Sequence, residues 1–510
     1  MKLSLLFLFL LTATCTFAQN YSSDFKFTLS DAHSEVAYPD KHYFAIDGNM
    51  VSLKIHGRKS KFQRFEGPKL NESYRSEEEE LSFAYNHIDF IEMNERMYHI
   101  YMIYNKETSA TSYMSREIDL NKGGYLTEER LLYAESGYDA YRMQALLCYP
   151  FDGGTKMKII SYRVASTGQT KKIKVYTFDD NIEMLSEESK KIAFSKPTDG
   201  VMISEVDDLG NMYYASLIKM KEDLKRGEEQ LYNVEMISAP HGEEETSSYI
   251  FEAPGSYIGG IRFKEVEGTG RMTTVGTYRS VKDDGARGVF VNLMADDGTL
   301  DNQLTVEFPE KILFQGVPQK QKDKMLKSGL IGIKNLKINR VTSESDGTIT
   351  VHCAIEQLSE VMHKDDYILI NMTLEGDLNW IKRLPRKKYA PAIRFGQLGE
   401  MMYDIDDYFI ETEQSYFYLF TDNPDNANLG MDDTPAVHKG WGGELVAYKI
   451  DRATGESKKM LLMNINDANG SALKEFYLGE RVVDLGGGYH AVECFKIPNK
   501  KMVLKFHIED

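Results

Sequence analysis

The stretch Tyr367–Pro385, YILINMTLEGDLNWIKRLP, reads as strand, tight turn, strand. Tyr367, Leu369 and Asn371 share one face, and Ile368, Ile370 and Met372 the other, because side chains alternate along a strand. Glu375-Gly376-Asp377 is the turn, where Gly376 is free to take a positive φ, and Leu378–Leu384 is the return strand.

The same grammar recurs at Tyr113–Leu132, Lys174–Ile192, Gly288–Phe308 and Leu445–Leu462. Each is an apolar strand, an Asp/Asn/Gly turn and a more polar strand. A further apolar pair lies upstream, as in Tyr257–Phe263 and Met272–Tyr278 around Gly268-Thr269-Gly270. Four strands per unit at a period of several tens of residues point to an all-β fold, a β-propeller. A lone four-stranded sheet cannot cover both of its apolar faces, so it stacks on its neighbours.

Second strands begin near Asn49, Glu95, Thr155, Asn211, Gly270, Gly347, Gln414 and Gly488, which makes eight four-stranded blades of about 60 residues. Seven blades is the alternative, since the first unit shows no fourth strand. The eighth unit has three strands only, Glu480–Leu485, Tyr489–Ile497 and Lys501–Glu509. The N-terminal strand Asp24–Ser30 is expected to complete it and close the ring. Residues 311–329 interrupt the pattern, and polar Gln319–Lys327 predicts a short helix outside the ring.

Met1–Ala18 has the features of a secretory signal peptide, with Lys2, an apolar run Leu3–Leu11 and a small residue before Gln19. The expected domain is then a single propeller over residues 19–510, exported to the periplasm or cell surface. Cys15 raises a lipid anchor, but Thr12-Ala13-Thr14 lacks the leucine usual before a lipidated cysteine. No later stretch approaches the ~20 apolar residues of a transmembrane helix. A formal charge of −17 argues against nucleic acid as a partner. Cys148, Cys353 and Cys494 are an odd, scattered set in apolar strands, read as buried thiols.

At Asp377–Pro385, with Trp380, Lys382 and Pro385, and at Tyr416–Asn423, YFYLFTDN, the chain resembles a group of uncharacterised secreted propeller-like proteins of Bacteroidota. The resemblance implies the fold and export, and carries no activity or catalytic residues. The chain departs from that group in Arg386 and Lys387-Lys388, where a Lys-Gln pair is common.

Motifs for chemistry are sparse. No HExxH, G-x-S-x-G or CxxC occurs, and Gly486-Gly487-Gly488 lies between two strands as a hairpin turn. No motif requires a cofactor. The loop Asp422–His438 offers Asp422, Asp425, Asn428, Asp432 and Asp433 as oxygen ligands for Ca²⁺, though not at EF-hand spacing. Its bland counterpart is a turn-rich surface loop. Trp441 offers a ligand-stacking face or a packing plug, and Asp404 and Asp406 share a strand face as a carboxylate pair or a solvated strand end. The basic run Arg383–Lys388 reads as a solvated loop, with contact to an acidic partner or surface glycan as the alternative.

These features favour an exported binding or scaffold protein that presents propeller loops, chiefly Asp422–Gly443, to a protein, peptide or glycan of the cell envelope. The alternative is a carbohydrate hydrolase or lyase using carboxylates converging in the channel, with at least one carboxyl pKa raised. A third reading is a structural part of an envelope complex.

Overall fold

A computed structural model describes residues 21–510 except 81–84, 106, 137–143, 164–168, 221–231, 244, 252–255, 267–270, 281–284, 296–298, 345–346, 359–360, 392–406, 440–441, 469–472, 477, 479–480 and 497–499. Met1–Ala18, Cys15 included, lies outside the described residues. Strand pairing sorts the chain into eight antiparallel sheets, the blades of a β-propeller. Blades 1 to 7 take residues 40–75, 85–136, 144–193, 198–251, 256–307, 336–384 and 408–464 in chain order. Blade 8 joins Val483–Gly486, Tyr489–Lys496 and Lys500–Ile508 to Phe25–Leu29. In that last pair Phe25 stands opposite Ile508 and Leu29 opposite Leu504. The sheet also holds Leu473–Phe476, paired with Tyr489–Lys496, a strand beyond the three expected for the eighth unit.

The alternation in Tyr367–Met372 is realised on both faces. Ile368, Ile370 and Met372 join an apolar cluster shared with blade 5, while Tyr367 and Leu369 join one shared with blade 7. Complete burial of such a side chain contributes about 1.5–3 kcal/mol. The principle repeats around the ring. Eight apolar clusters each straddle one pair of neighbouring blades, including blades 8 and 1.

Outer strands are polar on one face, as in Met184–Ala193 and Leu300–Glu307. This explains the missing fourth strand of blade 1. It is Asn71–Arg75, NESYR, with no buried side chain and hence no apolar alternation to betray it. The triglycine is the turn between Val483–Gly486 and Tyr489–Lys496, with φ of +82°, +60° and +75° at Gly486, Gly487 and Gly488. Only glycine enters three consecutive left-handed positions cheaply.

The break at 311–329 holds two helices, α1 (Glu310–Phe314) and α2 (Gln319–Ser328). Helix α1 buries Ile312, Leu313 and Phe314 between blades 5 and 6, and α2 buries no residue. Strands run antiparallel within each blade, so segments after second and fourth strands leave at one end of the ring. The described residues of 308–335, 385–391 and 423–439, with Asp407, all belong to that end.

The junction of blades 8 and 1 has few apolar side chains and a buried ionic network. Glu493 accepts from Lys54 Nζ at 2.7 and 2.9 Å, from Tyr43 Oη at 2.8 Å, and lies 3.0 Å from His33 Nε2. Burial would raise the Glu493 carboxyl, but Lys54, with His33 and Lys501, outweighs it and holds the group well below the usual carboxylate range. Breaking one partner strands the other charge in a dry site. Glu493→Gln should therefore cost about 3–5 kcal/mol in urea unfolding, and the double variant Glu493→Leu, Lys54→Met less. Equal costs for the two would show that charge pairing is not what the site supplies.

Candidate functional site

Three irregular segments at one end of the ring meet beside blades 6 and 7. Gln315 Nε2, just after α1, donates to the carbonyls of Arg383 at 2.9 Å and Met431 at 2.5 Å. Thr434 Oγ1 donates to Gly316 O at 3.3 Å. Arg383 donates to Ile312 O at 2.7 Å and to Asp366 at 2.8 Å. His438 N–H donates to Lys387 O, and Tyr389 N–H to His438 O, both at 2.9 Å. The helical insertion, the basic run and the Asp-rich loop thus form one ordered surface.

Within the Asp-rich loop, Asn426 is buried and bonds Asp422 Oδ1 and both backbone groups of Ala436. Asp422 is buried and accepts from Lys459 Nζ at 2.6 Å. Asp433 accepts the Gly430 N–H at 2.8 Å. Asp425 and Asp432 are exposed, as is Asn428. Among the described residues no group of three or more His, Cys, Asp or Glu side chains is placed to hold a metal ion. Asp422 and Asn426 come together as a loop pin, an arrangement of Asx side chains on nearby backbone. Trp441, Asp404 and Asp406 lie outside the described residues.

The basic run departs from its reading as a solvated loop. Arg386 is 1% exposed, and Lys388 is buried as well. Arg386 forms a short ion pair with Asp407, donates to Tyr367 Oη at 2.6 Å, and stacks on that ring at 4.1 Å. Burial disfavours the Asp407 carboxylate, but Arg386, with Lys364 and Lys388, holds its pKa below the ordinary value. Asp407 Oδ1 and Arg386 Nη2 remain buried without a hydrogen-bond partner.

Beside this pair a cleft of about 470 Å³ opens between blades 6 and 7, lined by Asn339, Arg340, His352, Cys353, Lys364, Tyr367, Asp407, Tyr408, Phe409 and Tyr418. Arg340 and Asn339 are on the innermost strand of blade 6 and both are exposed. A β-bulge between Ile338 and Arg340 puts two adjacent side chains outward, a device that re-aims residues. The Arg340 guanidinium lies over Phe409, 4.3 Å from its centroid. His352 has both nitrogens engaged, by Thr342 Oγ1 at 2.9 Å and by the Tyr418 hydroxyl. Burial, with Arg340 and Arg452 nearby, pushes its pKa down to about 3.

A second set of groups lies at the opposite end of the innermost strands. Glu205, Glu265 and Glu411 occupy the last or next-to-last positions of those strands in blades 4, 5 and 7. Burial raises all three carboxyls above the ordinary value. The Lys264 charge lowers each of them in part, and Glu411 is also paired with Arg452 at 3.0 Å.

No protein-family model matches the chain, and no curated protein matches it. Among solved structures, the chain is similar to the β-propeller domain of the Trilobed protease from Pyrococcus furiosus, with 9% identity, a TM-score of 0.34, and 84% of this chain and 97% of that one covered. It is similar to Synechocystis apocarotenoid oxygenase at 8% identity and a TM-score of 0.34, over 88% and 95% of the two chains. Prolyl oligopeptidase B from Galerina marginata gives 9% and 0.37, over 80% and 47%. At this distance nothing about activity passes from these proteins to the chain.

Buried and partly buried histidines set a pH dependence. His42 and His352 are lowered to about 3, His87, His438 and His490 to about 4, and His99 well below the ordinary value, chiefly by burial. Folded values below the ordinary 6.5 mean that their stabilisation is complete above pH 6.5 and is lost as pH falls towards 4 and 3. The urea midpoint should drop between pH 6.5 and 5, before most carboxylates titrate, and His490→Phe should shallow the slope. A flat midpoint over that window counts against neutral burial.

Proposed function

We propose that this chain is an exported binding module, and that the end of the ring carrying α1, the basic run and the Asp-rich loop faces a protein, peptide or glycan partner in the cell envelope. The observation that supports this reading is the hydrogen-bonded junction of those three segments through Gln315 beside an open cleft. Loops positioned on a rigid scaffold are where binding residues concentrate. Their mutual hydrogen bonds lower the ordering cost of association.

The groups nearest to acid–base candidates in the cleft are already committed. His352 has both nitrogens bonded, and Asp407 is paired with Arg386. This favours recognition over hydrolysis at that place. The thermal midpoint of the purified protein should rise with a bound ligand from a panel of envelope peptides and glycans, by about 2.7 kcal/mol of stabilisation at 100 times its Kd. Lys387→Glu with Thr434→Arg should abolish the rise, the free protein losing no more than the exposed bond of Thr434 to Gly316. A ligand-induced rise that survives both changes would place binding elsewhere on the ring.

A second reading, a carbohydrate hydrolase or lyase, draws on Glu205, Glu265 and Glu411. Carboxyls raised by burial at one end of the innermost strands have the character of general acids. That reading expects chain cleavage of an envelope polysaccharide, reduced by 10²-fold or more in at least one of Glu205→Gln, Glu265→Gln and Glu411→Gln. Release of reducing ends or unsaturated products is the readout. Cleavage unchanged in all three variants would remove them from consideration.

A further inference from the structure

We propose that the cleft between blades 6 and 7 takes a peptide carboxylate, with Arg340 as its anchor. The inference rests on the binding reading and names its ligand chemistry. The charges in and around the cleft pair off unevenly. Lys364 lies 3.6 Å from Glu356, which also accepts from Asn339 at 3.0 Å, and Arg386 pairs with Asp407. Among the described residues Arg340 makes no ion pair, the Glu411 carboxyl feeling its charge without bonding it, so its guanidinium stands on an exposed strand position with its donors toward the cleft.

That guanidinium is held rather than free. The bulge turns it outward and Phe409 supports it from one side at 4.3 Å. A planar donor fork fixed in this way matches a carboxylate bidentately, and less of its entropy is lost on binding. The chain's formal charge of −17 does not defeat this, because charges more than about 8 Å away are largely screened at physiological salt.

The rest of the cleft selects the class of ligand. Sugar rings stack on bare aromatic faces, and here the rings are engaged with one another. Phe409 carries Arg340 on one face and meets Tyr418 edge-on at 5.2 Å, and Tyr418 packs against Tyr367 at 4.5 Å. What the wall does offer, besides Arg340, is the exposed Asn339, whose Nδ2 is committed to Glu356 and whose Oδ1 is an acceptor suited to a peptide N–H. A donor and a carboxylate separated by a short apolar body describe a peptide end or an acidic residue within a peptide.

The test uses the full chain, immobilised, with randomised synthetic pentapeptide pools in free-acid and C-terminally amidated forms, read by mass spectrometry. Wild-type protein should enrich peptides that carry a carboxylate. Enrichment lost on amidation identifies the C-terminus, and enrichment of Asp or Glu in the amidated pool identifies the side chain. Arg340→Met should weaken the selected peptide by at least about tenfold with an unchanged thermal midpoint, and Arg340→Lys should retain part of the affinity. Enrichment indifferent to carboxylates, no enrichment from either pool, or affinity unmoved in Arg340→Met overturns the inference. Binding lost in Lys387→Glu, Thr434→Arg but kept in Arg340→Met would leave the loop surface standing and the carboxylate site refuted.

Discussion

Every blade of this ring depends on burial of both faces of its middle strands. Ser415–Asp422 is buried at every position, Phe417 and Leu419 facing blade 8 and Tyr418 and Phe420 facing blade 6. A strand of this kind has no solvent face, so it is stable only with a sheet on each side. The requirement passes from blade to blade, and the ring satisfies it with a cluster at each junction. Polarity is pushed to the outer strands and to the two ends, where the functional possibilities then lie.

The junction of first and last blades is where that apolar logic thins. Its cluster includes Met50, Phe65, Val483 and Val503, and beside them Glu493, Lys54, Tyr43 and His33 form a closed polar network. Buried ion pairs contribute little net stability against well-packed apolar replacements, and their best-attested use is register. A junction that unites chain ends far apart in sequence is a place where register has to be specified. Lys501 and Lys41 extend the network through Glu35, at 3.0 and 3.4 Å.

Much of this was legible from the residues. Turn residues punctuate each blade, so second strands expected near Asn49, Glu95, Thr155, Asn211, Gly270, Gly347, Gln414 and Gly488 begin at Asn49, Arg96, Lys156, Met212, Arg271, Ile349, Ser415 and Tyr489. The alternating faces of Tyr367–Met372 also fall as the period of two requires. What escaped notice was burial imposed from a distance. Arg383 and Arg386 look like a solvated run until Asp366 arrives from another strand and Asp407 from just before the first strand of blade 7, since local sequence does not announce an ion-pair partner. Arg340 did leave a trace. In Leu-Lys-Ile-Asn-Arg-Val the alternation stumbles at Asn339-Arg340, and two adjacent polar residues inside an apolar period are the signature of a bulge.

The same stumble bears on how the site is to be understood. An arginine made outward by a bulge departs from the regular strand at a position where regularity would have hidden either it or its neighbour. Its stacking partner Phe409 comes from the next blade, so its orientation depends on the inter-blade packing that holds the ring together. His352 and Tyr418 brace the wall behind it through a hydrogen bond that also crosses the blade boundary. The cleft is therefore a product of the ring and not of either blade alone. Its rigidity follows from a packed interface, which deforms little, so the orientation of Arg340 is set by the ring before any ligand arrives.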